Sequence, residues 1–182
     1  MTTGLLLAAG AGRRMGTPKA LVRDPDGTSW LRRSARALLD GGCAPVHVVL
    51  GAGAEEALPL IEDLPVEVVV AADWDEGMGA SLRAGLLAVG GTDAVLVSLV
   101  DLPDVGGPVV ARVLEAGTGR AVLARAAYDG EAGHPVLLGA GHLAPLVATL
   151  HGDVGAKSYL AAHEVVLVEC GDLATGADRD TR

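Results

Sequence analysis

Phenylalanine is absent from this 182-residue sequence, and only Trp30, Trp74, Tyr128 and Tyr159 carry aromatic rings. A core built on large aromatic clusters is therefore excluded. Ala, Val, Leu and Gly must fill it, which favours close packing of helices on a sheet. Cysteine is nearly missing too: Cys43 and Cys170 have neither metal-ligand spacing nor a disulfide framework, and both read as buried thiols. Positive charge is scarce, with 14 Lys and Arg against 23 Asp and Glu and a net charge of −9. No basic block exists, so nucleic acid is not an expected partner. Gly10 and the Arg13–Arg14 pair interrupt the apolar N-terminal run, which reads as neither a signal peptide nor a membrane span. The expectation is a cytoplasmic protein with no membrane partner.

Half of the residues are hydrophobic and a fifth are charged, which excludes a disordered chain. The length suits one domain, expected over residues 1–170, with a loose tail over 171–182 that lacks periodicity. Apolar runs of strand length recur at residues 4–9, 45–50, 66–71, 94–99, 121–125 and 165–168. Being continuous rather than alternating, they suit strands covered on both faces. Helical patterns lie between them, at residues 29–39, 55–61, 80–89, 108–115 and 140–150. The first places Trp30, Leu31, Ala35, Leu38 and Leu39 near one face, with Thr28 or Ser29 as cap and Gly41–Gly42 as stop. This alternation predicts an α/β fold: a three-layer, doubly wound, mostly parallel sheet that binds ligands beyond the carboxyl ends of its strands.

Three segments fall at such ends. After the first strand comes Ala8-Ala9-Gly10-Ala11-Gly12-Arg13-Arg14-Met15-Gly16-Thr17-Pro18-Lys19. Its small residues let backbone N–H groups approach an anion, and Arg13, Arg14 and Lys19 concentrate positive charge there. The glycines miss the dinucleotide G-x-G-x-x-G spacing, and no Ser or Thr follows Lys19 as a Walker motif requires. The loop reads as a triphosphate cradle. Before the third long helix, Gly77-Met78-Gly79-Ala80-Ser81-Leu82 offers a hydroxyl and free N–H groups to a base edge; it reads equally well as a capped helix start. At the end of the fourth strand stands Asp101, in Ser98-Leu99-Val100-Asp101-Leu102-Pro103. One carboxylate plus substrate phosphates suffices to anchor Mg²⁺. Asp104 is better explained as a turn acid.

Towards the C-terminus, Gly133-His134-Pro135-Val136 begins an apolar strand, and residues 151–157 open a helix. Asp153 reads as a cap of that helix, a second metal ligand or an orienter of an acceptor. Lys157 on the same helix reads as a neutraliser of acceptor phosphate, and His134 as either structural or acceptor-binding. His47, His142 and His163 have no such context.

Together these segments resemble the MobA-like nucleotidyltransferases, whose fold is Rossmann-like and similar to GT-A transferases. Leu-Ala-Ala-Gly-x-Gly-x-Arg-Met-Gly-x-x-Lys, Gly-Met-Gly-x-Ser-Leu, Leu-x-Asp-x-Pro and Gly-Asp-x-Gly-Ala-Lys are most similar to the molybdenum cofactor cytidylyltransferase branch. The resemblance implies nucleotide contacts from Ala8, Ala9, Gly10, Gly12, Gly79 and Ser81. It implies phosphate neutralisation by Arg14 and Lys19, with Mg²⁺ or Mn²⁺ on Asp101 and Asp153. It implies acceptor contacts from His134, Asp153 and Lys157, with a molybdoenzyme or chaperone receiving the product. Two departures stand out: Ala71-Ala72 where the family often has Asn, and Lys157 where it more often has Arg. The expected reaction joins a nucleoside monophosphate from an NTP, CTP for preference, to a phosphorylated acceptor. The alternatives are a nucleotidyltransferase for another cofactor or sugar phosphate, a non-catalytic nucleotide-binding accessory protein and, third, a dinucleotide oxidoreductase disfavoured by the glycine spacing.

Overall fold

The computed structural model describes residues 1–117 and 119–179. Strands β1 (Thr2–Ala8), β2 (Val46–Leu50) and β4 (Ala94–Leu99) are the most continuous apolar runs, and they lie inside a seven-stranded sheet. Every residue of β1 and β2 is buried, as a strand covered on both faces requires. The sheet order is β3-β2-β1-β4-β6-β5-β7, with β3 (Glu67–Val70) and β7 (Val166–Glu169) at its edges. β1 pairs in parallel with both β2 and β4, so the chain turns to opposite sides after these two central strands. Their carboxyl ends therefore flank the crevice where such sheets bind ligands.

Alternation along the strands divides the core in two. Leu6, Val48 and Leu96 pack beneath α1 (Trp30–Asp40) and α4 (Gly107–Leu114). Leu5, Leu7, Val49 and Val95 face α3 (Met78–Ala88) and α5 (Ala140–Val147) on the other side. The result is the expected three-layer sandwich. Ser29 caps α1 by accepting the Arg32 N–H at 3.3 Å. The expected helix over 55–61 is instead a short α2 (Ala54–Ala57) running into a 3-10 turn at Leu58–Leu60, where Pro59 has no N–H for a helical bond. Cys43 and Cys170 are buried, and burial pushes the Cys43 thiol up to about 12, so it is inert. Among the described residues, no helix is long and apolar enough to cross a membrane.

The structure departs from the sequence reading in two further places. The first is β6 (Glu131–Gly139), which runs antiparallel between β4 and β5 (Leu123–Tyr128). Gly133–Val136 therefore lies inside a strand rather than beginning one. The turn is Asp129-Gly130, with φ of 52° and 82°, the two positive values a tight two-residue hairpin demands. The second is the C-terminal segment. Residues 171–179 are not loose but run back across the molecule. The Arg112 guanidinium pairs with Asp172, and Asp104 accepts from the Thr175 N–H at 2.7 Å and its hydroxyl at 2.6 Å. Gly176 lies against Tyr128 so closely that an added Cβ would sit 2.0 Å from the ring. These anchors are polar or backbone contacts, which hydrophobic periodicity does not register. Residues 180–182 fall outside the described chain.

Candidate active site

The glycine loop leaves β1 and folds back on itself. Met15 donates its N–H to the Gly12 carbonyl at 2.8 Å, and Lys19 donates its own to Gly10 at 3.1 Å. Met15 is buried and pins the loop to the core. Gly12 has φ of +59°, and a Cβ there would stand 1.9 Å from the Thr17 carbonyl oxygen, so only glycine fits. An added Cβ at Gly10 would meet nothing within 4 Å. That backbone is open, as an anion cradle needs.

Lys19 opens a 3-10 turn, and its ammonium forms an ion pair with Asp101. The Asp101 side chain is only 8% exposed. It sits just beyond β4, where the Val100 N–H still bonds to the Leu7 carbonyl at 3.2 Å. Loop, lysine and carboxylate thus meet at the crevice between β1 and β4. The cleft there measures about 270 Å³, and Ala8, Ala9, Gly10, Arg13 and Ser81 are among the residues lining it. Arg13 lines the wall; Arg14, to which the resemblance assigns phosphate neutralisation, is exposed and outside that lining.

The opposite wall is a turn at residues 151–154, and Asp153 projects from it into the same cleft. The turn lies on the start of α3. The Ala80 N–H bonds to the Gly152 carbonyl at 3.2 Å, and a Cβ at Gly79 would stand 2.3 Å from the Val154 oxygen. At Gly77, with φ of +136°, it would stand 2.2 Å from an Asp153 carboxylate oxygen. Gly77 and Gly79 therefore admit the turn that carries Asp153. Asp153 does not cap α6 (Lys157–Ala161), whose N-cap is Ala156. Ser81 is buried, with its hydroxyl 3.4 Å from the Gly77 carbonyl. Trp74, Asp75 and Met78 also line the cleft, and the sequence reading assigned them no role. The indole of Trp74 packs on Gly51, where a Cβ would come within 2.5 Å of the Trp74 side chain.

The acceptor residues do not all converge. Lys157 is exposed and outside the cleft lining. His134 also lies outside that lining, in β6. Its imidazole is pushed down to about 4, by burial first and by Arg125 second, while Asp101 and Asp178 pull the other way. It is therefore neutral at neutral pH. Two other histidines have structural places: His47 is buried, and His142 meets the Tyr159 hydroxyl at 2.9 Å.

The site's metal-binding potential follows from its donors. Asp101 already holds a cation, and Asp153 offers a second carboxylate across the cleft. Among the described residues, no group of three or more His, Cys, Asp or Glu forms a closed metal cage. An open pair of oxygen donors suits a hard divalent ion whose shell is completed by substrate phosphates and water.

Comparison with known proteins bears on the family and the fold. Nicotine blue oxidoreductase from Paenarthrobacter nicotinovorans is 38% identical over 190 residues, covering 98% of this chain and 92% of that protein. A nucleotidyl transferase from Methanothermobacter thermautotroptrophicus superimposes with a TM-score of 0.79 at 25% identity, covering 93% of this chain and 87% of that one. The manganese complex of Rv0371C from Mycobacterium tuberculosis H37Rv gives 0.79 at 26% identity, covering 98% and 93%. A divalent metal thus occurs in a structural neighbour of this fold. The MobA-like NTP transferase domain matches residues 4–166, and the chain belongs to that family.

Proposed function

We propose that this protein transfers a nucleoside monophosphate from an NTP, CTP for preference, to a phosphorylated acceptor such as molybdopterin, in the cytoplasm. The observation that carries the reading is the Lys19–Asp101 pair, with its carboxylate buried, at the mouth of the glycine loop and facing Asp153. An acceptor phosphate oxygen attacks the α-phosphorus; the bond to the bridging oxygen breaks and pyrophosphate leaves. The nucleophile is already anionic, so the site needs no protein base. The loop amides hold the triphosphate, and Lys19 turns from Asp101 towards its charge. Arg13 or Arg14 closes over the outer phosphates. A bound Mg²⁺ or Mn²⁺ on Asp101 and Asp153 supplies further charge neutralisation. Positioning and charge account for catalysis.

The CTP preference rests on Ala9, which is buried in the cleft wall beneath the nucleotide site and leaves less room for a purine. A mismatched base edge leaves a buried polar group unpaired, at about 1–3 kcal/mol. The expected bias in kcat/KM over GTP is therefore about one to two orders of magnitude. Screening the four NTPs against molybdopterin and simple phosphates, with pyrophosphate release as readout, tests this. Equal kcat/KM for CTP and GTP removes the cytidylyl assignment; no release with any pair removes nucleotidyl transfer.

One observation favours a second reading. The 38% identity to an oxidoreductase spans nearly the whole chain, so the third-ranked sequence alternative gains weight. In that reading the glycine loop holds the pyrophosphate of a reduced nicotinamide dinucleotide, which passes a hydride to a conjugated dye. Oxidation of NADH or NADPH, followed at 340 nm with a quinonoid acceptor, separates the two.

A further inference from the structure

The Asp101 carboxylate is aimed by a short piece of irregular backbone. Beyond the Val100 N–H to Leu7 bond, the chain leaves the sheet, and Pro103 contributes no donor. The loop is instead gripped from outside by the C-terminal segment. The Arg179 N–H donates to the Asp101 carbonyl at 2.9 Å. The Asp104 carboxylate accepts from the Thr175 N–H at 2.7 Å and its hydroxyl at 2.6 Å. The two segments run antiparallel, with Arg179 at Asp101 and Thr175 at Asp104, so both ends of the loop are clamped.

The clamp is itself anchored. The Cys170 N–H bonds to the Ala127 carbonyl at 2.7 Å, and Arg112 holds Asp172 through a second contact at 2.9 Å. Gly176, with φ of +64°, lies against the Tyr128 ring. At the far end, the Arg179 guanidinium donates to Asp24 at 3.0 Å. The same Asp24 accepts from the Trp30 indole N–H at 2.9 Å and pairs with Arg33. Those contacts hold its carboxyl below the ordinary value, Trp30 contributing most. The segment thus ties the Asp101 loop to the base of α1. It lies beyond residue 166, where the matched family domain ends.

We infer that residues 171–179 are a strap that holds the Asp101 carboxylate in its working direction, making Thr175 and Arg179 positioning residues of the active site. The strap touches no substrate. It removes a freedom the carboxylate would otherwise lose on binding metal and nucleotide. The inference rests on the nucleotidyl-transfer reading, in which Asp101 anchors the metal.

The test compares Arg179→Pro, which deletes the N–H on Asp101, with Thr175→Ala and with Asp63→Asn, which breaks a surface ion pair with Arg32, as a control outside the strap. Mn²⁺ binding is titrated by electron paramagnetic resonance without acceptor, beside melting temperatures and steady-state kinetics. One backbone hydrogen bond corresponds to roughly a 2–12-fold change in affinity, so Arg179→Pro weakens Mn²⁺ by about that factor. Thr175→Ala moves the same way by a smaller factor, and Asp63→Asn stays within about twofold of wild type whatever its melting temperature. Wild-type Mn²⁺ affinity in both strap variants overturns the inference. So does a loss in the control matching theirs at equal loss of melting temperature. If wild type binds no Mn²⁺, the metal reading of Asp101 fails separately. The strap is then judged by amide exchange at Leu102 and Asp104, which Arg179→Pro must accelerate; unchanged exchange overturns it.

Discussion

The Lys19–Asp101 ion pair sets what single substitutions will do. Lys19→Ala removes the ammonium nearest the phosphate cradle. A charged hydrogen bond is worth about 1.5–3 kcal/mol, so NTP affinity should fall roughly 10–100-fold with the fold intact. Calorimetry giving wild-type affinity would contradict the cradle. Asp101→Asn keeps the side chain's size and removes its charge; metal-dependent turnover should vanish while the melting curve stays near wild type. Wild-type rates at limiting Mg²⁺ would end the anchor role. His134 makes a pH prediction. Its imidazole charges near 6.5 in an unfolded chain but only near 4 when folded. Its contribution to stability is therefore complete above about pH 6.5 and is lost as pH falls towards about 4, on the order of 1–3 kcal/mol in all. His134→Gln should flatten that part of the acid slope in urea titrations at pH 7 and 4.5, and an unchanged slope would assign it elsewhere.

The start of α3 and the 151–154 turn behave as one structural unit, although they lie far apart in the chain. Their backbones touch at Gly77 and Gly79, and the contact places Asp153 opposite Asp101. Gly79→Ala would drive a methyl to 2.3 Å from the Val154 oxygen, so the turn must lift. Overpacking of this kind costs about 1–3 kcal/mol and would carry Asp153 out of the cleft. The expected result is a loss of Mn²⁺ affinity comparable to that of Asp153→Asn, with no additional loss in the double variant. Additive losses would mean the glycine acts on the nucleotide directly. At the other end of the sheet, the Asp129-Gly130 hairpin inserts β6 between β4 and β5 and brings His134 close enough to Asp101 to feel its charge.

For the molecule as a whole, the crevice at β1 and β4 gathers the loop, Lys19 and Asp101, α3 and the 151–154 turn add Asp153, and the strap closes the back. Ending the chain after Cys170 would strip Asp104 of its Thr175 donors, leave Arg112 without Asp172 and uncover Tyr128. Losing a cluster of half-exposed contacts of this size should cost about 1–3 kcal/mol, which for a domain of this length lowers the melting temperature by roughly 2–12 °C. An unchanged melting temperature would show that the tail does not contribute to stability.

The strands with continuous apolar character were legible because burial on both faces leaves little choice of residue: β1, β2 and β4 appear within two residues of the expected ends. The glycine loop and Asp101 were legible for a related reason. Close backbone approach and a carboxylate at a strand end are local demands, written in adjacent residues. The Asp129-Gly130 turn is local too, but the alternating strand–helix pattern around it carries no sign of an antiparallel strand. Other features depend on contacts between distant residues. Gly79 looks like part of a helix start until the Val154 carbonyl is found against it, and that Arg13 rather than Arg14 lines the cleft depends on how the loop folds back. The C-terminal segment reads as loose because hydrogen bonds to Asp101 and Asp104 leave no periodic trace. Local conformation and burial constrain residue type and are visible along the chain; pairings between remote polar groups and close approaches of remote backbones exist only once the sheet has brought them together.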